Sequence, residues 1–117
     1  MLPPLTQIAP DLWIGPQLQA EDFTALQAQG FRTIINARPD HEAPDQPGHA
    51  ELEQAAKHAG LNYEFLPVVA GQFTDAQIAA FDQYLRQLPG PVLAFCRSGN
   101  RCGLLWSAVL ARRAAQA

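Results

Sequence analysis

The sequence predicts an α/β fold with a small, mostly parallel sheet flanked by helices and an antiparallel hairpin at its N-terminal edge. Composition is the first observation: of 117 residues, 48% are hydrophobic and only 16% are charged, which suffices for one buried core without disulfides or metal. Alternation is the second: three segments with apolar residues at helical spacing each lead through a glycine into a short apolar run. Such alternation is typical of βαβ units, so we treat residues 1–117 as a single domain.

The predicted elements follow one another in chain order. Two strands, at residues 7–9 and 12–14, are separated by Pro10 and Asp11 and form the edge hairpin. Three helices are predicted at 20–29, 49–59 and 75–88, and they precede strands at 33–37, 63–69 and 92–95. The first and last of these three strands do not alternate polar with apolar residues, which is typical of central strands covered on both faces.

The last predicted element is a helix at residues 103–113, which is apolar nearly all round. A helix of this kind is central and buried, so we expect no exposed face on it. The longest irregular segment is the proline-rich stretch 38–48, and loops of this length are often functional.

Charge is distributed unevenly along the chain. All 11 acidic residues lie at or before Asp82, whereas five of the eight cationic residues follow it, and those five are arginines. An acidic chain without a basic stripe is a poor partner for nucleic acid, and the cationic last third favours a small anion instead. No apolar run is long enough to span a membrane, and residues 1–7 lack the pattern of a signal peptide, so we expect a reducing cytoplasm.

A buried strand runs directly into the loop that carries the chemistry. The loop residues and the one that follows are Cys96, Arg97, Ser98, Gly99, Asn100, Arg101 and Cys102. The backbone N–H groups of such a loop can turn inward as an anion nest, because Gly99 permits a conformation that other residues resist. The positive end of the following helix favours a thiolate, and Arg101 can fork onto two anion oxygens. We therefore expect Cys96 and Arg101 to be catalytic and residues 97–100 to bind the anion, with Arg97 pointing outward.

Four segments, 12–17, 30–40, 63–68 and 96–101, resemble the bacterial family of beta-lactamase-hydrolase-like, phosphatase-like domains. That family shares the cysteine-phosphatase fold, which is similar to the dual-specificity phosphatases, and its active loop resembles that of rhodaneses, the sulfurtransferases. The resemblance implies a cysteine-centred enzyme. It also implies a partner, because relatives occur fused to metallo-β-lactamase-like domains linked to sulfide detoxification.

The resemblance leaves two chemistries open, and loop length favours sulfur. Four residues separate Cys96 from Arg101, as in rhodaneses, whereas cysteine phosphatases have five, and a tighter nest suits a persulfide. Phosphatases also need an acid that protonates the leaving group, and the stretch 68–73, where dual-specificity enzymes carry it, contains no acid. We therefore expect a sulfurtransferase that moves sulfur from thiosulfate or a small persulfide through Cys96 to a thiol acceptor.

Two alternatives to the sulfurtransferase remain open. One is a phosphatase of the dual-specificity type that forms a phosphocysteine at Cys96, with a phosphoryl group as the bound anion. The other is a non-catalytic sulfur-carrier or partner-binding module. None of the three needs a cofactor, and the histidines have no metal-ligand spacing with either cysteine, so we expect no metal site.

Four further residues are candidates near the loop. Asp40 and His41 follow the strand at 33–37 and so lie at the same sheet edge as Cys96, where they act as a general acid or simply form a turn. Arg38 and Asp40 line the site, or they hold a loop by pairing with each other or, through the Asp40 carboxylate, with Arg101.

Cys102 stands where relatives usually carry Ser or Thr, whose hydroxyl can hydrogen-bond the catalytic thiolate. With a thiol at this position the support is weaker. Cys102 is also interpreted as a resolving thiol that traps oxidised Cys96 as a disulfide, or as a small residue in the first helical turn.

Overall fold

A five-stranded sheet forms the centre of the computed structural model, which describes residues 2–117. In chain order the elements are β1 (Thr6–Ala9), β2 (Leu12–Gly15), α1 (Asp22–Ala28), β3 (Thr33–Asn36), α2 (His49–His58), β4 (Asn62–Phe65), α3 (Asp75–Gln87), β5 (Val92–Phe95) and α4 (Asn100–Gln116). The strand order across the sheet is β1-β2-β5-β3-β4. β1 pairs antiparallel with β2, and the other neighbouring strands are parallel, which confirms the predicted fold class and edge hairpin.

Strand β5 lies in the middle of the sheet. Leu93 pairs with Trp13 of β2 on one side and with Ile34 of β3 on the other. All residues of β3 and β5 are buried, as their lack of polar alternation predicts. Because neighbouring parallel strands end at the same edge, Cys96, the first residue beyond β5, lies among the ends of β2, β3 and β4.

The sheet separates two apolar cores. Ala94 of β5 packs into the core that α3 and α4 cover, whereas Leu93 and Phe95 pack into the core that α1 and α2 cover. Cys96 and Cys102 both belong to the core on the side of α3 and α4. The two cysteines therefore lie on one face of the sheet.

Nearby residues determine where the helices begin and end, as the sequence indicates. α1 and α2 are followed by glycines with positive φ, Gly30 at 100° and Gly60 at 76°, which end both helices. α3 begins at a capping box, in which the Thr74 side chain accepts from the Gln77 backbone N–H and the Gln77 side chain accepts from the Thr74 N–H. This box sets the end of the loop that leaves β4.

The strand predicted at 63–69 is shorter in the structure, where β4 ends at Phe65. Pro67 has no N–H and so interrupts the ladder. Leu66 and Val68 nevertheless donate to the carbonyl oxygens of Asn36 and Ala37, at 2.8 and 3.0 Å. The segment therefore follows β3 beyond its end and brings Val68 to the edge where Cys96 lies.

The final helix is not buried all round, which corrects the expectation for residues 103–113. Leu105 and Val109 are buried in the core beside α3, but Leu104 and Leu110 are each 47% exposed. The reason is that α4 packs against α3 and the sheet through the side that carries Leu105 and Val109, whereas Leu104 and Leu110 lie on other sides of the helix. Among residues 2–117, no helix combines the length and apolar character that crossing a membrane requires.

Candidate active site

The loop after β5 turns around the Cys96 side chain. The turn is made at Gly99, whose φ of 96° is a left-handed conformation that favours glycine, and α4 starts at the next residue. The Gly99 N–H then donates to the Cys96 sulfur at 3.1 Å. A Cβ atom at Gly99 would also lie 3.3 Å from the Gly15 carbonyl oxygen. Both the conformation and the close approach therefore require glycine here.

The end of β2 holds this loop from the side. The Cys96 N–H donates to the Gly15 carbonyl oxygen at 3.4 Å, and the Gln17 N–H donates to the Arg97 carbonyl oxygen at 3.1 Å. The loop is thus attached to the rigid sheet at both of its first two residues. Such attachment keeps the amide donors in place before any anion arrives.

Cys96 is a thiolate at neutral pH. A hydrogen bond from the Cys102 thiol is the largest cause, and together with the backbone N–H groups of Cys102, Gly99 and Arg101 it lowers the pKa of Cys96 to about 5. Burial opposes this change, because only 1% of Cys96 is exposed. The sulfur therefore lies at the base of the loop, and the charge is stabilised by protein donors instead of water.

Cys102 remains a protonated thiol beside that thiolate. Its hydrogen bond to Cys96, its burial and the negative charge of Cys96 raise the pKa of Cys102 well above its usual range. The residue lies in the first turn of α4, and both cysteines are free. Cys102 thus donates to the thiolate where relatives are expected to use a hydroxyl group, and its role as a resolving thiol stays a prediction.

Arg101 is buried, and its guanidinium is held by three hydrogen bonds. Nη1 and Nη2 donate to the two carboxylate oxygens of Glu42 at 2.9 and 2.8 Å, and Nη1 also donates to the Val68 carbonyl oxygen at 2.9 Å. The bidentate interaction that we expected between the Arg101 guanidinium and a bound anion is therefore made with the Glu42 carboxylate. None of these three bonds uses Nε.

Glu42 is the main site residue that sequence analysis missed. It also accepts a hydrogen bond from Arg38 Nε at 2.9 Å, and Arg38 Nη1 donates to Gln17 Oε1 at 2.9 Å. Hydrogen bonds from Arg101 and Arg38 lower the pKa of Glu42 to about 2 against the opposing effect of burial. Glu42 therefore pairs with both Arg38 and Arg101, which corrects the expectation that Asp40 would be their partner.

Asp40 and His41 lie at the same sheet edge as Cys96, but their contacts are with α2 and with a turn. Asp40 Oδ1 accepts the backbone N–H of His49, the first residue of α2, at 2.8 Å. His41 is exposed and has a φ of 66°, which makes it a turn residue. The structure thus favours a structural role for Asp40 over the role of a general acid.

The remaining loop residues lie on the protein surface. Arg97, Ser98 and Asn100 are exposed, in agreement with an outward-pointing Arg97. The Asn100 backbone N–H donates to Ser98 Oγ at 3.3 Å, which shapes the loop without engaging Cys96. Across residues 2–117, no group of three or more His, Cys, Asp or Glu side chains could hold a metal ion.

The arrangement joins a buried thiolate, inward amide donors and a fixed arginine at the end of a central parallel strand. Solved structures with the same arrangement of elements define the class: this is a phosphatase-like α/β fold. The family model described as "Beta-lactamase hydrolase-like protein, phosphatase-like domain" matches residues 4–113, and the chain belongs to that family.

Among solved structures, the chain is similar to one from Neisseria meningitidis whose phosphatase assignment is provisional. The identity is 38% and the TM-score 0.84, over 95% of this chain and 77% of that one. TpbA of Pseudomonas aeruginosa, in complex with pTyr, has a TM-score of 0.61 at 26% identity over 86% of this chain and 58% of that one. The core of the PP-IP phosphatase SIW14 from S. cerevisiae, at 17% identity and a TM-score of 0.69 over 89% and 64% of the two chains, shares the fold.

The curated relatives are longer proteins. The beta-lactamase hydrolase-like protein of Agrobacterium fabrum is 46% identical over 81% of this chain, and that of Xylella fastidiosa is 41% identical over 82%. In both cases the chain spans 22% of the relative's length.

Proposed function

We propose that this domain is a cysteine-based phosphatase in which the Cys96 thiolate attacks the phosphorus of a phosphate ester. One observation carries the proposal: the Gly99 N–H, 3.1 Å from the sulfur, and the fixed guanidinium of Arg101 both belong to the same short loop as the nucleophile. Such a loop activates the thiolate and also stabilises the charge on the phosphoryl oxygens. The family and the similar phosphatase structures support phosphorus over sulfur.

Each residue of the site has a task in this chemistry. Cys96 forms a bond to phosphorus, and the resulting cysteinyl phosphate is hydrolysed by water in a second step. The loop N–H groups and Nε of Arg101 bind the phosphoryl oxygens, while the exposed Arg97 attracts the anionic substrate. Glu42 holds Arg101 in orientation, so it acts on the reaction through that residue.

Sulfur transfer is the second candidate, because four residues instead of five separate Cys96 from Arg101. This loop length favours a small sulfane sulfur over a tetrahedral phosphoryl group. The family and the solved relatives do not support that preference. Both candidates use the same nucleophile, so a direct comparison of activities distinguishes them.

The test measures aryl phosphate hydrolysis and sulfur transfer from thiosulfate to cyanide on one preparation, with Cys96→Ser as the matched variant. We expect phosphate release by the wild-type protein, no release by Cys96→Ser, and an acid-trapped phosphoenzyme by intact mass. Circular dichroism verifies that Cys96→Ser is folded. Sulfur transfer without phosphate release, together with a persulfide at Cys96, contradicts the proposal; anion binding with neither activity supports the non-catalytic module.

A further inference from the structure

Two carboxylates follow β3 at the sheet edge where the loop lies, and both accept hydrogen bonds from the protein. Glu42 accepts from Arg101 at 2.8 and 2.9 Å and from Arg38 at 2.9 Å, so its oxygens are occupied by cations. Asp40 Oδ1 accepts the first N–H of α2 at 2.8 Å, at the end of the helix where negative charge is stabilised. Both oxygens of Glu42 and Oδ1 of Asp40 are thus occupied by hydrogen-bond donors of the protein, so none of these three oxygens is available to carry a proton to a substrate.

The chain that leaves β4 forms the adjoining wall of the site. The Val68 carbonyl oxygen accepts from Arg101 Nη1, which places this segment directly against the loop. The residues from Val68 to Phe73 are apolar, glycine or amide, and Val69 is 49% exposed. The next carboxylate, Asp75, is exposed in the first turn of α3, where it faces the helix N-terminus.

We propose that this site takes phosphoryl substrates whose leaving group departs as a weakly basic anion, namely aryl phosphates, acyl phosphates and phosphoanhydrides. The proposal rests on the phosphatase function proposed above and narrows its substrate class. Alkyl phosphates such as phosphoserine require a proton on the departing oxygen, because an alkoxide is a strong base. Phenolates, carboxylates and phosphates leave without one.

The two steps balance without a protein acid. In the first, the Cys96 thiolate forms an S–P bond while the P–O bond to the leaving group breaks, and the electron pair departs with the leaving oxygen. In the second, a water oxygen attacks phosphorus, the S–P bond breaks and the thiolate returns. Both protons of that water end on the released phosphate, so no protein group needs to donate or store one.

The experiment measures kcat/KM for dinitrophenyl, nitrophenyl and phenyl phosphate, and for a phosphoserine peptide, with the intact chain. We expect kcat/KM to fall steeply as the leaving group becomes more basic, by about 10²–10⁴-fold from dinitrophenyl to phenyl phosphate, the contribution that a general acid would supply. Acetyl phosphate is expected to react readily, and the phosphoserine peptide to remain uncleaved.

Variants test whether any carboxyl or imidazole group supplies a proton. Asp40→Asn keeps an oxygen that caps α2, His41→Asn removes the exposed imidazole, and Asp45→Asn changes an exposed acid of the same loop as a control. All three variants are expected to show the same dependence of kcat/KM on leaving-group basicity as the wild-type protein. A flat series, or a selective loss of phenyl phosphate hydrolysis in Asp40→Asn or His41→Asn, overturns the substrate class but leaves the phosphatase intact. Failure to hydrolyse even dinitrophenyl phosphate overturns the phosphatase function and this inference with it.

Discussion

Two carboxylates in this domain each bind two arginines, and their surroundings give them different tasks. Glu42 receives Arg101 with both of its oxygens and Arg38 with one, in the loop after β3. Its partner Arg101 lies in the first turn of α4, directly after the Cys96 loop, so this ion cluster adjoins the nucleophile. We call these three residues the loop cluster.

Asp82 forms the second cluster, far along α3. A single oxygen, Oδ1, accepts from Arg113 at 2.6 and 3.0 Å and from Arg86 at 3.0 Å. Arg113 also lies over the Trp106 ring, 5.3 Å from its centroid. Asp82, Arg86 and Arg113, here called the helix cluster, therefore tie α4 to α3. The same interaction, one carboxylate with two arginines, orients a functional group at the sheet edge and stabilises packing between two helices.

The largest contrast is expected between the arginines of the two clusters. Arg101→Ala removes a donor to the substrate anion, so kcat/KM for an aryl phosphate falls by about 10²–10³-fold. Arg113→Ala leaves kcat/KM within about twofold and lowers thermal stability instead. Steady-state kinetics and thermal melts measure both effects.

Arg101→Ala also leaves Glu42 without its main partner, so Arg101→Lys accompanies it. The lysine keeps the charge but loses the bidentate fork, and we expect an intermediate loss of kcat/KM in a folded protein. Equal losses in folded Arg101 and Arg113 variants would contradict the distinction between the clusters.

A smaller contrast is expected between the carboxylates. Glu42→Gln weakens the hold on Arg101 and lowers kcat/KM about tenfold, mostly in kcat, because the guanidinium is less well oriented. Asp82→Asn weakens three charge-assisted hydrogen bonds and reduces the free energy of unfolding by about 1–3 kcal/mol, with kcat unchanged. Kinetics at saturating substrate and denaturant unfolding test the pair; a kcat loss in Asp82→Asn that matches that of Glu42→Gln counts against the assignment.

Acid is expected to affect activity before stability. As the pH falls through about 5, the pKa of Cys96, the thiolate is protonated and kcat/KM declines. The pKa of Glu42 is about 2 in the folded protein, against an ordinary value of 4.5. The ionised Glu42 therefore stabilises the fold fully above pH 4.5, and this contribution is lost as the pH falls from 4.5 towards 2. The pKa of Asp82 is lowered as well, so its contribution is lost in the same direction.

The pH dependence is measured by kcat/KM profiles and by circular dichroism on the same samples. Glu42→Gln and Asp82→Asn should each reduce the dependence of unfolding free energy on acid, because each removes one titrating group. A common midpoint for the loss of activity and of structure would show that unfolding, and not protonation of Cys96, limits activity.

The smallest effect is expected from substitution of Cys102, the thiol beside Cys96. Cys102→Ala removes the thiol donor and raises the pKa of Cys96 by about one pH unit, whereas Cys102→Ser replaces it with a hydroxyl donor and largely restores the value. At neutral pH the thiolate still dominates, so kcat/KM changes little there and decreases mainly below pH 6. Thiolate absorbance during titration measures the pKa directly, and an unchanged midpoint in Cys102→Ala refutes the role of this thiol.

Local patterns predict much of the fold because their causes lie within a few residues. The glycines at 30 and 60 and the capping box at Thr74 end or begin helices through neighbouring backbone groups. The strand predicted at 92–95 coincides with β5. The prediction for 103–113 was wrong about burial, because the exposure of Leu104 and Leu110 depends on which elements surround α4.

Some residues of the candidate site could likewise be predicted from local sequence, and others could not. Cys96, Gly99 and Arg101 lie within six consecutive residues, so a short loop between a strand and a helix was enough to single them out. Glu42 is 59 residues from Arg101, and its four-residue spacing from Arg38 carries no meaning outside a helix. No local pattern could therefore connect it with the site.

The sequence by itself determined the order of helices and strands, the buried central strand and the cysteine loop that follows it, because each depends on contacts between near neighbours. Only the tertiary structure decided that Arg101 faces Glu42 and Val68, and that Asp40 caps a helix. Ionisation and hydrogen bonding depend on distances between side chains of separate elements. Those distances are set when parallel strands bring their carboxyl ends to one edge of the sheet.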